Sequence, residues 1–127
     1  MTFELPMTLK IIDEEFCICK VEDYQAVDLP SPFVCIGSTD EEKSLVCPMR
    51  SVPGNTVARD DGWRALRIDG TLDFSLIGIL AHLSKVLADG DIGIFAISTF
   101  NTDYILTRSE CFERAVDLLR AAGYPVR

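Results

Sequence analysis

The sequence predicts an α+β protein of ferredoxin-like architecture, with elements in the order βαββαβ, and three observations carry that prediction. Residues 63–108 hold a strand, a turn, an amphipathic helix and a hairpin in unbroken succession. The helix has a residue of suitable chemistry at each end. A second amphipathic helix and a short apolar tail follow, which completes the split βαβ order.

From the start of the chain, residues 7–12 and 16–21 are apolar, β-branched runs separated by Asp13, Glu14 and Glu15, and they predict a hairpin. Residues 22–32 are polar and broken by Pro30 and Pro32, with room for a short helix over 23–27. Residues 33–36 and 44–47 predict a second hairpin across a polar loop, stopped by Pro48. The stretch 49–62 has turn formers at both ends, Pro53-Gly54-Asn55 and Asp60-Asp61-Gly62, and reads as a connector. The chain therefore divides near residue 62 into an N-terminal module, 1–62, and a C-terminal module, 63–127.

In the second module residues 63–68 form a strand ended by Asp69-Gly70. Leu76, Leu80, Leu83 and Leu87 then recur at helical spacing, with Ser75, Gly78, His82, Lys85 and Asp89 on the other side. Asp73 stands where an N-cap belongs and Gly90 where a left-handed residue ends a helix. Residues 92–100 predict a buried strand, Asn101-Thr102 a turn, and 103–107 the return strand. A second helix begins near Ser109, buries Phe112, Ala115, Val116 and Leu119, and ends at Arg120 and Gly123; residues 124–127 add a short edge strand. Setting Phe33-Val34-Cys35-Ile36 beside Ile94-Phe95-Ala96-Ile97, and Ser44-Leu45-Val46 beside Tyr104-Ile105-Leu106, reads the halves as a diverged duplication. The first half is degenerate, because it has no comparable long helix.

Composition excludes several functions. Twelve basic against 20 acidic residues give a formal net charge of −8, and the basic residues are scattered, so the footprint of a nucleic-acid binder is missing. The apolar fraction of 48% marks a globular chain, yet no uninterrupted apolar run approaches membrane length and no basic leader precedes the first one. A cytoplasmic protein with no membrane partner is expected. Five cysteines are an odd number, and Cys17, Cys19, Cys35 and Cys47 lie in apolar runs without CxxC spacing, which points to buried thiols first, with a metal or redox role for Cys17 and Cys19 on one strand face as the lesser alternative. With no P-loop, GxSxG elbow, dinucleotide fingerprint or paired histidines, no catalytic residue, metal or cofactor is expected. A thiol enzyme would need a thiolate beside a positive charge, whereas Cys111 sits among Glu110 and Glu113.

The run GTLDFSLIGILAHLSKVLADGDIGIFAISTFNTDYIL, with WRALR upstream and DEEKSLVCP in the first half, resembles tandem ACT domains. It is similar to small bacterial ACT proteins related to the cytosolic arginine sensors of the TOR pathway. The motifs are Leu72-Asp73-Phe74-Ser75 with Gly78-Ile79-Leu80, then Ala96-Ile97-Ser98-Thr99-Phe100-Asn101-Thr102-Asp103-Tyr104. The resemblance implies a non-catalytic regulatory or sensor protein that holds an amino acid between its modules and pairs as a homodimer. It implies that the loop 70–75, with Asp73, faces the ligand, and that Gly78 and Ile79 meet the ligand's backbone. Thr99 and Phe100 would run along its side, Asp103 would meet its positive group, and Ser44 and Leu45 would form the opposite wall. The sequence departs from the sensors at Leu76 and Thr102, where a carboxylate and an aromatic are expected.

Simpler roles stand beside these. Glycine within a helical pattern costs about 1 kcal/mol relative to alanine, and close packing explains Gly78 as well as a ligand does. Asp103 also reads as a turn carboxylate, Thr99 and Phe100 as a strand end, Ser44 as a strand start and His82 as a solvated residue without a role. The alternative function is a structural interaction module that dimerises through its sheets without a ligand.

Overall fold

The computed structural model describes residues 7–70 and 78–127. Its elements are β1 (Met7–Val21), β2 (Cys35–Ser38), β3 (Lys43–Pro48), β4 (Thr56–Gly70), α1 (Ile79–Asp89), β5 (Phe95–Ser98), β6 (Asp103–Arg108) and α2 (Phe112–Ala121), with 3-10 turns at Met49–Ser51 and Ser109–Cys111. The strands are ordered β2-β3-β1-β4-β6-β5. An α+β fold with two helices on a mostly antiparallel set of strands agrees with the ferredoxin-like expectation.

The first half departs from the sequence reading in three places. Residues 7–21 are one strand and not a hairpin. Asp13-Glu14-Glu15 carries no glycine, proline or asparagine to turn the chain, and Glu14 is held in place by Arg50 Nε at 2.8 Å. Residues 23–27 turn without forming a helix, because the Asp23 carboxylate accepts from the Gln25 backbone N–H at 3.1 Å. The connector is short: β4 starts at Thr56 and runs straight through Asp60-Asp61-Gly62, so residue 62 falls inside a strand.

Two compact units result. A strand unit comprises Glu14–Trp63, and a helical unit comprises the segment ending at Asp13 together with the chain from Arg64 onward. The long strands β1 and β4 each give part of their length to both.

In the helical unit, Leu83 and Leu87 of α1 and Phe112, Ala115, Val116 and Leu119 of α2 join Leu9, Leu66, Ile68 and Ile105 in one core. Leu80 is only half-buried there, and Leu76 lies outside the described residues. Each fully buried leucine contributes roughly 1.5–3 kcal/mol. Both helices stop by the same device. Ile92 N–H bonds to Leu87 O at 2.9 Å and Asp91 N–H to Ala88 O at 3.0 Å, while Tyr124 N–H bonds to Leu119 O and Gly123 N–H to Arg120 O, each at 3.0 Å. The left-handed residue after α1 is Asp91, with φ 60°, and not Gly90, with φ −93°. The tail pairs with β1 as a parallel bridge, Leu9 opposite Val126.

The strand unit contains no α-helix. Cys17, Cys19, Val21, Leu45 and Cys47 form its core, covered by the half-buried Tyr24, Val27, Val34, Met49 and Val52. These come from the segments 22–34 and 49–55. A thin cover suits small thiols.

The two hairpins repeat each other. Cys35, Ile36, Gly37 and Ser38 pair with Val46, Leu45, Ser44 and Lys43; Phe95, Ala96, Ile97 and Ser98 pair with Leu106, Ile105, Tyr104 and Asp103. Every number in the second set is the first plus sixty. The turns repeat as well, with Thr39 N–H bonded to Glu42 O and Thr99 N–H to Thr102 O, both at 2.9 Å. Cys35 thus corresponds to Phe95, one residue from the match with Ala96 that sequence similarity favoured. Cross-strand pairing decides this, since a one-residue slip would send every side chain to the wrong face.

Candidate functional site

The turn between β5 and β6 is closely tied down. Thr99 Oγ1 donates to Thr102 O at 2.9 Å, and Thr102 Oγ1 donates to Ile68 O at 2.5 Å. The second bond fastens the turn to the last residues of β4. Asp103 follows at once, half-buried, opposite Ser98 and without an ion-pair partner among the described residues. Thr99 and Phe100 are exposed, Phe100 fully.

Next to Ile68, Arg67 and Asp69 form a two-pronged pair, Nε to Oδ1 at 2.5 Å and Nη2 to Oδ2 at 3.2 Å. The hydrogen bonds from Arg67 hold the Asp69 carboxyl below its ordinary range, with Lys10 adding to the effect. Arg67 is raised in turn by Asp69, with Tyr104 adding to the effect. The opposite charges at the end of β4 therefore offset one another, whereas Asp103 has no ion-pair partner among the described residues.

Gly78 precedes α1 instead of lying within it and adopts φ 98°, a left-handed conformation. Among the described residues a Cβ added there would meet nothing within 4 Å, and the left-handed backbone is by itself a reason for glycine. Ile79 is half-buried against the core. Asp73, with most of the loop 70–75, lies outside the described residues. Gly78, Ile79, Thr99, Phe100 and Asp103 all belong to the helical unit, whereas Ser44 and Leu45 belong to the strand unit. Ser44 donates its hydroxyl to Gly37 O at 3.0 Å and its carbonyl accepts from Tyr24 OH at 3.1 Å. Gly37 makes room for that hydroxyl, since a Cβ there would stand 2.7 Å from Ser44 Oγ. Leu45 is core.

Sequence reasoning missed two features. Arg67 and Asp69 were legible as opposite charges two apart on one strand face. The bond between His82 Nδ1 and the hydroxyl of buried Tyr124 was not, because 42 residues separate the partners. Among the described residues no three His, Cys, Asp or Glu side chains are placed to hold a metal ion, and no helix is long and apolar enough to cross a membrane. Burial pushes the Cys17 thiol up to about 12, with Asp61 adding through a hydrogen bond, and Cys47 to about 11. Cys19 and Cys35 are raised by burial too. A nucleophilic thiol needs the reverse shift.

Comparison with known proteins places the chain. A model of the ACT domain matches residues 58–121, half of the sequence. No functionally curated protein matches it. Among solved structures, the chain is similar to a protein of Agrobacterium tumefaciens at 31% identity and TM-score 0.85, over 98% of this chain and 94% of that one. It shares a fold with a Vibrio cholerae protein of unknown function described as a possible transport protein, at 15% identity and TM-score 0.71, over 93% and 91% of the two chains. It also shares a fold with Clostridium acetobutylicum aspartate kinase, an allosteric enzyme, at 14% identity and TM-score 0.65, over 87% of this chain but 33% of that one. With a domain match over half its length and a relative 31% identical across nearly all of both sequences, the chain belongs to the ACT domain family.

Proposed function

We propose that this chain is a non-catalytic sensor or regulatory protein that binds an amino acid carrying a positive group. ACT domains are typically regulatory modules for amino acids, and the allosteric aspartate kinase with the same fold is consistent with that role. The observation that carries the reading is Asp103: a half-buried carboxylate with no ion-pair partner among the described residues, beside a turn anchored to β4. A buried or half-buried charge is costly until it is paired, so a ligand ammonium or guanidinium would be favoured there. Gly78 at the start of α1 has no side chain to crowd a carboxylate drawn to a helix N-terminus.

The matching hairpins support a reading of the strand unit as a second, helix-free ACT module in tandem with the first, and a relation to the arginine sensors of the TOR pathway is proposed with it on the sequence resemblance. A cytoplasmic homodimer is part of the proposal. Isothermal titration of the purified chain against the common amino acids tests it: arginine or lysine should bind and their neutral analogues should not. No heat of binding with any amino acid at millimolar concentration overturns it.

A second reading has its own support. Ser44, Leu45 and Ile79 are already engaged within the fold, as expected of a module that only pairs with itself or another protein. A dimer by sedimentation, unaltered by any amino acid and accompanied by no binding heat, would favour it.

A further inference from the structure

We propose that Cys17 and Cys47 are a peroxide-responsive pair that closes an intrachain disulfide between β1 and β3. Three observations lead there. Cys17 stands directly opposite Cys47 in the antiparallel register of the two strands, and both are free. Directly opposed residues in such a ladder have Cα atoms about 4.5–5.5 Å apart. That lies inside the Cα range a disulfide spans, whereas Cys19, whose thiol contacts that of Cys47, stands on the diagonal, where Cα atoms are about 7–8 Å apart. Finally, the pair is covered by Tyr24, Val27, Val34, Met49 and Val52 from irregular segments and not by packed helices.

Such segments open at lower cost than helices docked on a core, so the thiols become reachable without global unfolding. While the unit is closed, burial keeps both sulfurs protonated and inert. On opening, the thiolate of one cysteine attacks a hydroperoxide. An S–O bond forms as the O–O bond breaks, and with hydrogen peroxide the departing oxygen leaves as water. The second thiolate then attacks the oxidised sulfur, the S–S bond forms, the S–O bond breaks and a second water leaves. The two thiols lose two electrons and the peroxide gains them. Once closed, the bond lies under the same cover and ties β3 to β1. This inference stands whether or not the chain binds an amino acid.

The test uses the full-length reduced protein treated with hydrogen peroxide, then denatured, alkylated and mapped by peptide mass spectrometry without reduction. The expected result is a Cys17–Cys47 linked peptide lighter by two hydrogens, with Cys19, Cys35 and Cys111 recovered as alkylated thiols. Thermal unfolding of the oxidised protein should rise by several degrees and return to its starting value with dithiothreitol, since the bond closes a loop of about 30 residues. Cys35→Ser and Cys111→Ser should retain the link, and Cys47→Ser should lose it. Recovery of all five thiols, linkage through Cys19, linkage only between chains, or a linked protein that melts no later than the reduced one would each overturn the proposal. Because the linked peptide is sought in the unsubstituted chain, the outcome does not depend on whether Cys47→Ser folds.

Discussion

Thr102 Oγ1 donates to the carbonyl oxygen of Ile68 at 2.5 Å, joining a turn to a strand end 34 residues earlier. That bond holds the hairpin bearing Asp103 against the end of β4. Thr102→Val keeps the shape and removes the donor, leaving the Ile68 carbonyl without that partner. Urea unfolding should show a loss of about 1 kcal/mol. Any affinity for a basic amino acid should fall with it, and a ligand site independent of this turn would show no such fall.

Asp103→Asn tests the charge directly. A charge-assisted bond contributes about 1.5–3 kcal/mol, so titration should show at least a tenfold weaker affinity for arginine or lysine. The unfolding midpoint should stay close to that of the natural chain. Equal weakening towards neutral amino acids would assign the loss to the fold instead of the carboxylate.

Gly78→Ala places a Cβ on a left-handed backbone, which costs roughly 1–2 kcal/mol by strain alone. Calorimetric melting should record that loss. If ligand backbone also approaches Gly78, binding weakens by more than the stability change accounts for; if it does not, affinity at saturating folded protein stays level.

Alkaline pH should destabilise the chain through its buried thiols. Cys17 and Cys47 have folded-state values raised to about 12 and about 11 from 9.0. The unfolded chain therefore releases these protons first as pH rises. Their contribution is complete below pH 9 and is lost between 9 and the folded values, at about 1.4 kcal/mol per pH unit for each thiol. Denaturant unfolding across pH 8–10.5 should show the decline, and Cys17→Ala should lessen its slope.

Leu83→Ala removes a fully buried side chain from the core between α1 and the strands. A loss of about 2–5 kcal/mol is expected from transfer and cavity together, read from the urea midpoint. The same change at half-buried Leu80 should cost clearly less.

Local chemistry determined much of the helical unit from sequence alone. The apolar spacing of Leu83 and Leu87, and of Phe112, Ala115, Val116 and Leu119, is enforced within a few turns of chain, so periodicity identified the buried faces correctly. Gly123 likewise ended α2 as a left-handed residue should. Pairing between distant segments was decided only by the tertiary structure. Asp13-Glu14-Glu15 reads as a turn until Arg50 is seen to hold Glu14, and Asp60-Asp61-Gly62 reads as a linker until β4 is seen to pass through it. The repeat of the hairpins sixty residues apart, and the bonds from Thr102 to Ile68 and from His82 to Tyr124, depend on register and packing across long separations. A single chain's periodicity encodes which face is buried, but not which strand lies beside it, because any extended backbone offers the same row of donors and acceptors.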